Sequence, residues 1–130
     1  MTISAREKLE GFLIKLDLAY EEVGENMWVV NDEPSSLVGL VIYAEEDLVT
    51  IRANVMQIPD EERESLFEEL LRFNAEMVHG AYAIEEHDIV LIDSMELPTM
   101  DFEELQASLD SFGLALAQHY AHLAPYRKST

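Results

Sequence analysis

The chain has 130 residues, which is enough for one domain of ordinary size with a substantial buried core. Eight Lys and Arg residues stand against 27 Asp and Glu residues, and the formal net charge of −19 disfavours nucleic acid and anionic membrane, because phosphate groups are bound through Lys and Arg. The chain contains no Cys, so disulfides and thiolate chemistry are excluded.

The first predicted element is an amphipathic helix. Ser4 and Glu7 have the spacing of a capping box. Apolar residues then recur at helical period: Leu9, Phe12, Leu13 and Leu16. We expect this helix to end near Tyr20, before an acidic turn at residues 21–25. It lacks the apolar core of a signal peptide, and the longest apolar run, residues 37–44, is far shorter than the roughly 20 residues of a membrane span, so we expect a soluble cytoplasmic protein.

Three strands are predicted next. Residues 27–30 are typical of a short strand that ends at the turn residues 31–36. Residues 37–43 and 48–56 are predicted to form two further strands, which the acidic turn 45–47 joins as a hairpin.

Apolar residues on both faces of this predicted sheet carry a functional hint. In the strand 37–43, one face carries Leu37, Gly39, Val41 and Tyr43 and the other carries Val38, Leu40 and Ile42, and residues 89–92 are again apolar on both faces. An antiparallel sheet with one solvated face would alternate apolar with polar residues. Both faces therefore need cover: three helices would cover one, and a second subunit or a client protein the other. The alternative is that one helix crosses to the second face.

The second helix is predicted to begin after Pro59, with acids at 60–62 where the helix dipole favours negative charge. Its predicted buried stripe has six members: Leu66, Phe67, Leu70, Leu71, Asn74 and Val78. We expect it to end at His79, with Gly80 as the left-handed residue beyond it. His79 is interpreted as stabilising this helix end, because no partner that would orient it as a general base is evident.

A second hairpin and a third helix follow. Residues 81–85 and 89–95 are predicted strands that turn at 86–88. Asp101 and Glu104 form another capping box, which begins the third helix. The apolar seam of this helix is spaced 3-4-3-4-3-4: Phe102, Leu105, Leu109, Phe112, Leu116, His119 and Leu123. We interpret the seam as packed on the sheet; the alternative is that part of it forms a dimer or client-binding surface.

The order of elements predicts an α+β fold. It is α-β-β-β-α-β-β-α, an antiparallel sheet packed with three helices. We expect a single domain over residues 1–125 and a flexible C-terminal tail at 126–130.

No cluster of residues predicts a catalytic or metal centre. His119 and His122 lie three residues apart, but zinc needs a third and usually a fourth ligand, and His119 falls in the apolar seam, which favours a satisfied helix histidine. The acidic runs lack the spacing and central Gly of a calcium loop. We therefore expect no cofactor, no metal ion and no enzymatic activity, and a metal- or carboxylate-dependent enzyme is the least favoured hypothesis.

Residues 70–84, LLRFNAEMVHGAYAI, resemble the YbjN family, which belongs with the CesT-type (Tir) chaperones of bacterial type III secretion. The continuation IVLID at 89–93, then Leu97-Pro98 and a long helix with an acidic cap, is similar too. The resemblance implies a compact secretion-chaperone-like α+β domain, usually a homodimer. Such proteins bind an extended segment of a client along apolar surface patches, without catalysis.

The leading hypothesis is therefore a non-catalytic, homodimeric, chaperone-like module that binds a client or regulatory partner protein. The partner would add a strand to the sheet or dock on apolar sheet and helix surface, with the acidic rim steering basic partners. The candidate partner-binding residues are Val41, Tyr43, Leu70 and Phe73. The alternative is a small regulatory or sensory domain that binds a folded protein or a small ligand, with a pocket lined by Trp28, Met27 and Tyr82.

Overall fold

The computed structural model describes residues 4–127. Its three helices are α1 (Ala5–Leu16), α2 (Arg63–Glu76) and α3 (Phe102–Arg127). Its six strands are β1 (Tyr20–Gly24), β2 (Met27–Asp32), β3 (Leu37–Glu45), β4 (Leu48–Gln57), β5 (Ala81–Glu85) and β6 (Asp88–Glu96). A short 3₁₀ turn at Glu33–Ser35 joins β2 to β3.

The six strands form one sheet in the order β1-β2-β3-β4-β6-β5, and every neighbouring pair is antiparallel. The chain leaves the sheet after β4, forms α2 and returns as the outer hairpin β5–β6, whose second strand pairs with β4. The edges of the sheet are therefore β1 and β5. The predicted α+β fold with an antiparallel sheet and three helices is confirmed.

Strand β1 replaces the expected acidic turn at residues 21–25 and is the one addition to the predicted order. Helix α1 ends at Leu16, because Asp17 takes the left-handed conformation with φ of 57°. Residues 20–24 then pair with β2, and Glu22 accepts hydrogen bonds from the Arg6 guanidinium at 2.8 and 3.0 Å. An edge strand exposes most of its side chains, so its composition is that of a turn.

All three helices pack on the same face of the sheet, which we call the covered face. Its strand residues include Trp28, Leu40, Ile42, Ile51 and Leu91, each fully buried. Residues from every helix join the same core: Leu9, Leu13, Leu66, Leu70, Leu105, Leu109 and Phe112. Full burial of an apolar side chain of this size contributes about 1.5–3 kcal/mol, so this layer supplies most of the stability.

Helix α2 is shorter than the sequence predicts. It ends at Glu76, where Met77 turns extended with φ of −85° and ψ of 135°. Of the predicted stripe, Leu66 and Leu70 are buried, but Leu71 points outward and Val78 lies beyond the helix, 86% exposed. Gly80 does take a positive φ, of 85°, although it lies in the connection to β5. His79 therefore lies outside the last turn of α2, and its interpretation as a residue that stabilises the helix end was wrong.

Helix α3 begins and packs as predicted but continues further. The capping box is confirmed: Asp101 Oδ1 accepts from the Glu104 N–H at 2.8 Å, and Glu104 Oε1 accepts from the Asp101 N–H at 3.4 Å. The helix runs to Arg127, and the hydroxyl of Tyr126 hydrogen bonds to Ser65 and Glu69 on α2. Tyr126 is thus part of the packed helix and not of a loose tail, while residues 128–130 lie outside the described residues.

The helices in residues 4–127 do not include one with the combined length and apolar character needed to cross a bilayer.

Candidate functional site

The face of the sheet opposite the helices carries the first candidate surface, which we call the bare face. The register aligns Val29, Val41, Arg52 and Ile92 across β2, β3, β4 and β6. The next row contains Met27, Tyr43, Thr50 and Ser94. Successive strand residues point to opposite faces, so these side chains lie away from Trp28, Ile42 and Ile51.

Exposure varies over the bare face, where side chains are shielded only by their neighbours in the sheet: Thr50 is 7% exposed, whereas Met27 is 38% exposed. Val29, Val41, Tyr43 and Ile92 have intermediate exposure. The helices meet the sheet on the other face, as Arg6 does at Glu22 and Ser108 at Asp93. No helix within residues 4–127 lies over the bare face, so the expectation that all three helices cover one face is met, and the alternative of a crossing helix was wrong.

One cation lies on the bare face. Arg52 is the only Lys or Arg on the described strands, and its guanidinium meets the Glu85 carboxylate of β5 at 2.6 Å. This pair spans β6, where Val90 on the same face is only 1% exposed. The pair is partly solvated, so it contributes no more than about 1 kcal/mol, but it neutralises the centre of the face.

The second candidate surface lies where α2 meets the edge strand β5, and we call it the α2–β5 surface. It surrounds a pocket of about 300 Å³ that is lined by Phe67, Leu70, Leu71, Asn74, Tyr82, Ala83 and Ile84. Leu71 and Ile84 are 68% and 55% exposed at its rim, whereas Leu70 forms its buried floor. Apolar side chains exposed together in this way are typical of a binding surface.

Behind the α2–β5 surface, an aromatic cluster joins α2, α3 and β5. The ring of Phe73 stacks on His119 with centroids 3.7 Å apart, and His119 Nδ1 lies 2.7 Å from the Tyr82 hydroxyl. Burial lowers the pKa of His119, an effect that nearby Glu76 partly opposes, and burial raises the pKa of Tyr82 to about 12. The Tyr82 hydroxyl gives the His119 ring a polar partner within the apolar seam of α3, and the prediction of a satisfied helix histidine is confirmed.

Asn74 is a residue whose role sequence reasoning missed. Its Oδ1 accepts from the Tyr82 N–H at 2.7 Å, and its Nδ2 donates to the Tyr82 carbonyl at 3.2 Å. The sequence placed Asn74 in the buried stripe of α2, where an amide side chain requires polar partners. The sequence therefore indicated that the Asn74 amide has polar partners, but it did not indicate that these partners are backbone groups of a strand.

The four predicted partner-binding residues belong to two surfaces. Val41 and Tyr43 lie together on the bare face, whereas Leu70 and Phe73 lie in the helix layer on the other side of the sheet. Leu70 is 6% exposed, so a partner at the α2–β5 surface meets it only through the pocket.

The expected pocket of Trp28, Met27 and Tyr82 was wrong. Trp28 is fully buried on the covered face, whereas the adjacent Met27 points to the bare face. Tyr82 lies on β5, and three strands separate β5 from β2. The described residues also contain no group of three or more His, Asp or Glu side chains placed to hold a metal ion.

Comparison with family models identifies one family over almost the whole chain. The family model CesT_Tir_1 matches residues 3–129. No curated protein sequence matches this chain at a significant level.

Solved structures share the fold at low sequence identity. E. coli YbjN superposes with a TM-score of 0.67 at 12% identity, covering 93% of this chain and 96% of its own. The ExoU–SpcU heterodimer of the Pseudomonas aeruginosa type III secretion system gives 0.61 at 15% identity, with 94% and 99% covered. The Yersinia pestis secretion chaperone SycH, bound to a YscM2 fragment, gives 0.61 at 14% identity, with 88% and 98% covered.

Proposed function

The chain belongs to the CesT_Tir_1 family, and from this premise we propose that it is a non-catalytic, chaperone-like protein-binding module that acts as a homodimer in the cytoplasm. The observation that carries the proposal is the bare face. Val29, Val41, Tyr43 and Ile92 form an apolar surface on a sheet whose helices all lie on the other side.

A protein partner gains free energy on the bare face by removing apolar side chains from water, at about 25 cal/mol per Å². The face extends across four neighbouring strands, β2, β3, β4 and β6, which suits a polypeptide better than a small molecule, because small ligands bind in concave pockets. The solved complexes of similar fold also support a protein partner: SycH holds a fragment of YscM2, and ExoU–SpcU is a heterodimer.

A test of client binding is suppression of aggregation. Light scattering of reduced, aggregating insulin measures whether the protein holds an unfolded chain. The double substitution Val41→Ser and Tyr43→Ser should abolish most of the suppression, because it removes apolar surface without adding charge. Leu114→Ser is the matched control, since Leu114 is 60% exposed on α3, away from the bare face. Equal suppression by the wild type and the double variant would contradict the proposal.

The homodimer is proposed to form through the α2–β5 surface. Leu71 supplies exposed apolar contact, and Glu68 and Arg72 flank it on the exposed side of α2, paired with each other at 3.1 Å. In a two-fold dimer, two antiparallel α2 helices place Glu68 of one copy opposite Arg72 of the other. The surface is thus self-complementary in charge and in apolar character.

Sedimentation velocity with charge reversal tests this dimer. Arg72→Glu alone and Glu68→Arg alone should each shift the protein toward monomer, because each places like charges across the two-fold axis. The double variant, with both changes, should recover the dimer, since the complementary pairs are restored in reverse. A wild-type monomer, or a dimer that ignores both single changes, would exclude this interface.

A further inference from the structure

Positive charge is segregated onto the helices of this protein. Of the eight Lys and Arg residues, Lys128 lies outside the described range, and six of the other seven lie on helices: Arg6, Lys8, Lys15, Arg63, Arg72 and Arg127. Arg52 is the exception, and Glu85 neutralises it. The bare face is therefore left without free positive charge among the described residues.

Acids surround the apolar centre of the bare face. The register places Glu21 beside Val29 at the β1 side of the face. Glu45 and Glu96 lie opposite Leu48 at one end of the strands, and Asp88 lies at the far end of β6. Arg52, which is paired with Glu85, lies between Val41 and Ile92, and it is the only Lys or Arg that the described strands bring to this face. A second copy of this chain would bring the same acids against one another.

We infer that the polypeptide that docks on the bare face is cationic at its margins and apolar at its centre. The inference rests on the proposed function, because it names the partner chemistry of the same surface. Lys or Arg side chains of the partner would meet Glu21, Glu45 and Glu96, while its apolar side chains cover Val41 and Tyr43. Charge complementarity of this kind raises the association rate and selects the partner.

Three synthetic peptides of equal length test the inference: one alternates Val with Lys, one Val with Ser and one Val with Glu. Fluorescence anisotropy should show the Val/Lys peptide binding about tenfold more tightly than the Val/Ser peptide, with the difference shrinking as salt screens the charges. The Val/Glu peptide should not bind. Equal affinity for Val/Ser and Val/Lys would overturn the cationic partner and leave the bare face as a binding surface.

Substitutions locate the bound peptide. The Val41→Ser and Tyr43→Ser double variant should weaken Val/Lys binding by about tenfold, because its apolar centre is lost while its net charge is unchanged. Leu114→Ser should bind as the wild type does. Val/Lys binding that ignores the double variant would mean general attraction to an acidic protein, and it would overturn the inference and the proposed function together.

Strand β5 lies at the edge of the sheet, so one side of its backbone faces no other strand of the described chain. Residues along an antiparallel strand alternately pair with the neighbouring strand and point away from it. The Tyr82 N–H donates to Asn74, so the backbone groups of Tyr82 point away from β6 toward the open edge. Ile84, two residues further, has the same orientation. The Asn74 side chain therefore satisfies the backbone groups of one of the two outward-facing residues of this short strand. Only the backbone groups of Ile84 are left for pairing with another chain.

The geometry points to Asn74 as a residue that blocks strand pairing at the β5 edge. Its side-chain amide binds the backbone groups of Tyr82 that a neighbouring strand would otherwise bind, so the sheet does not extend there. Unpaired edge strands are sites of association, and proteins block them by several devices. With this edge closed, partners dock on side-chain surfaces instead of adding a strand to β5.

Substitution of Asn74 tests whether this side chain blocks strand pairing at β5. In Asn74→Ala, the Tyr82 amide should exchange with solvent at least about tenfold faster, and the protein should self-associate at high salt, where repulsion between the acidic chains is screened. Asn54→Ala, at an exposed Asn of β4, is the control. Faster exchange without any added association by sedimentation would show that Asn74 stabilises β5 but does not block strand pairing, and would overturn the proposed blocking role. Unchanged exchange would overturn the proposed contact as well.

Discussion

The two faces of the sheet have similar sequences but different surroundings. On β3, Ile42 is fully buried under the helices, whereas its neighbour Val41 on the opposite face is only half-buried. Three helices cover one face, and none of the described residues covers the other. An apolar strand pattern therefore indicates that both faces of a sheet are favoured to be buried. It does not indicate whether helices of the same chain or a second polypeptide buries each face.

The largest expected effect separates the two faces directly. Ile42→Ala should lower the free energy of unfolding by about 2–5 kcal/mol, because it opens a cavity in the core. Val41→Ala should lower it by about 1 kcal/mol or less, since the side chain is partly in water already. Urea unfolding followed by circular dichroism measures both. Equal losses would mean that the bare face is packed as tightly as the covered one.

Ser108 forms a hydrogen bond that joins α3 to the covered face of the sheet. It is fully buried, and its Oγ donates to Asp93 Oδ2 at 2.8 Å. Ser108→Ala should cost about 1.5–3 kcal/mol, because a partly buried carboxylate loses a donor. The same urea titration measures the loss, and Ser94→Ala on the bare face serves as the control, with little expected change. A neutral Ser108→Ala would show that water replaces the lost donor.

Gly113 tests how closely α3 approaches the turn between β2 and β3. A Cβ at this position would overlap with the Ser35 carbonyl oxygen, so Gly113→Ala should cost about 1–3 kcal/mol through overpacking. Gly11→Ala on α1 is the matched control, because no atom lies within 4 Å of its added Cβ. That control should stabilise by about 0.4–1 kcal/mol. Thermal unfolding measures both, and a neutral Gly113→Ala would mean that α3 shifts at little cost.

The smallest expected effect is a pH dependence from His119. Its folded pKa is lowered by burial, so below the unfolded value of 6.5 the unfolded state binds more protons. This contribution to stability is fully present above that pH and is lost as pH falls through the folded pKa. His119→Asn keeps a hydrogen-bonding side chain beside the Tyr82 hydroxyl and removes the titration. Urea midpoints should fall less with acid in this variant, and an unchanged acid dependence would exclude His119 as its source.

Local patterns were sufficient for much of the fold. Asp101 and Glu104 begin α3 through contacts three residues apart, so the sequence contains both partners. The period of the apolar residues assigned Leu105, Leu109 and Phe112 to a buried seam for the same reason. The expectation that Val41 and Tyr43 share one face also follows from strand alternation. The same alternation was wrong for Leu37, which is buried in the core, and Gly39 between Leu37 and Val41 takes a positive φ of 66°.

Contacts between distant residues could not be read in this way. Strand β1 exists because residues 20–24 pair with β2, and Asn74 acts on Tyr82 because the connection after α2 returns β5 beside the helix. The bare face itself depends on the side of the sheet that each helix takes. The periodicity of apolar residues indicates which side chains are favoured to be buried. The segments that bury them are determined by packing between parts of the chain that are far apart in sequence.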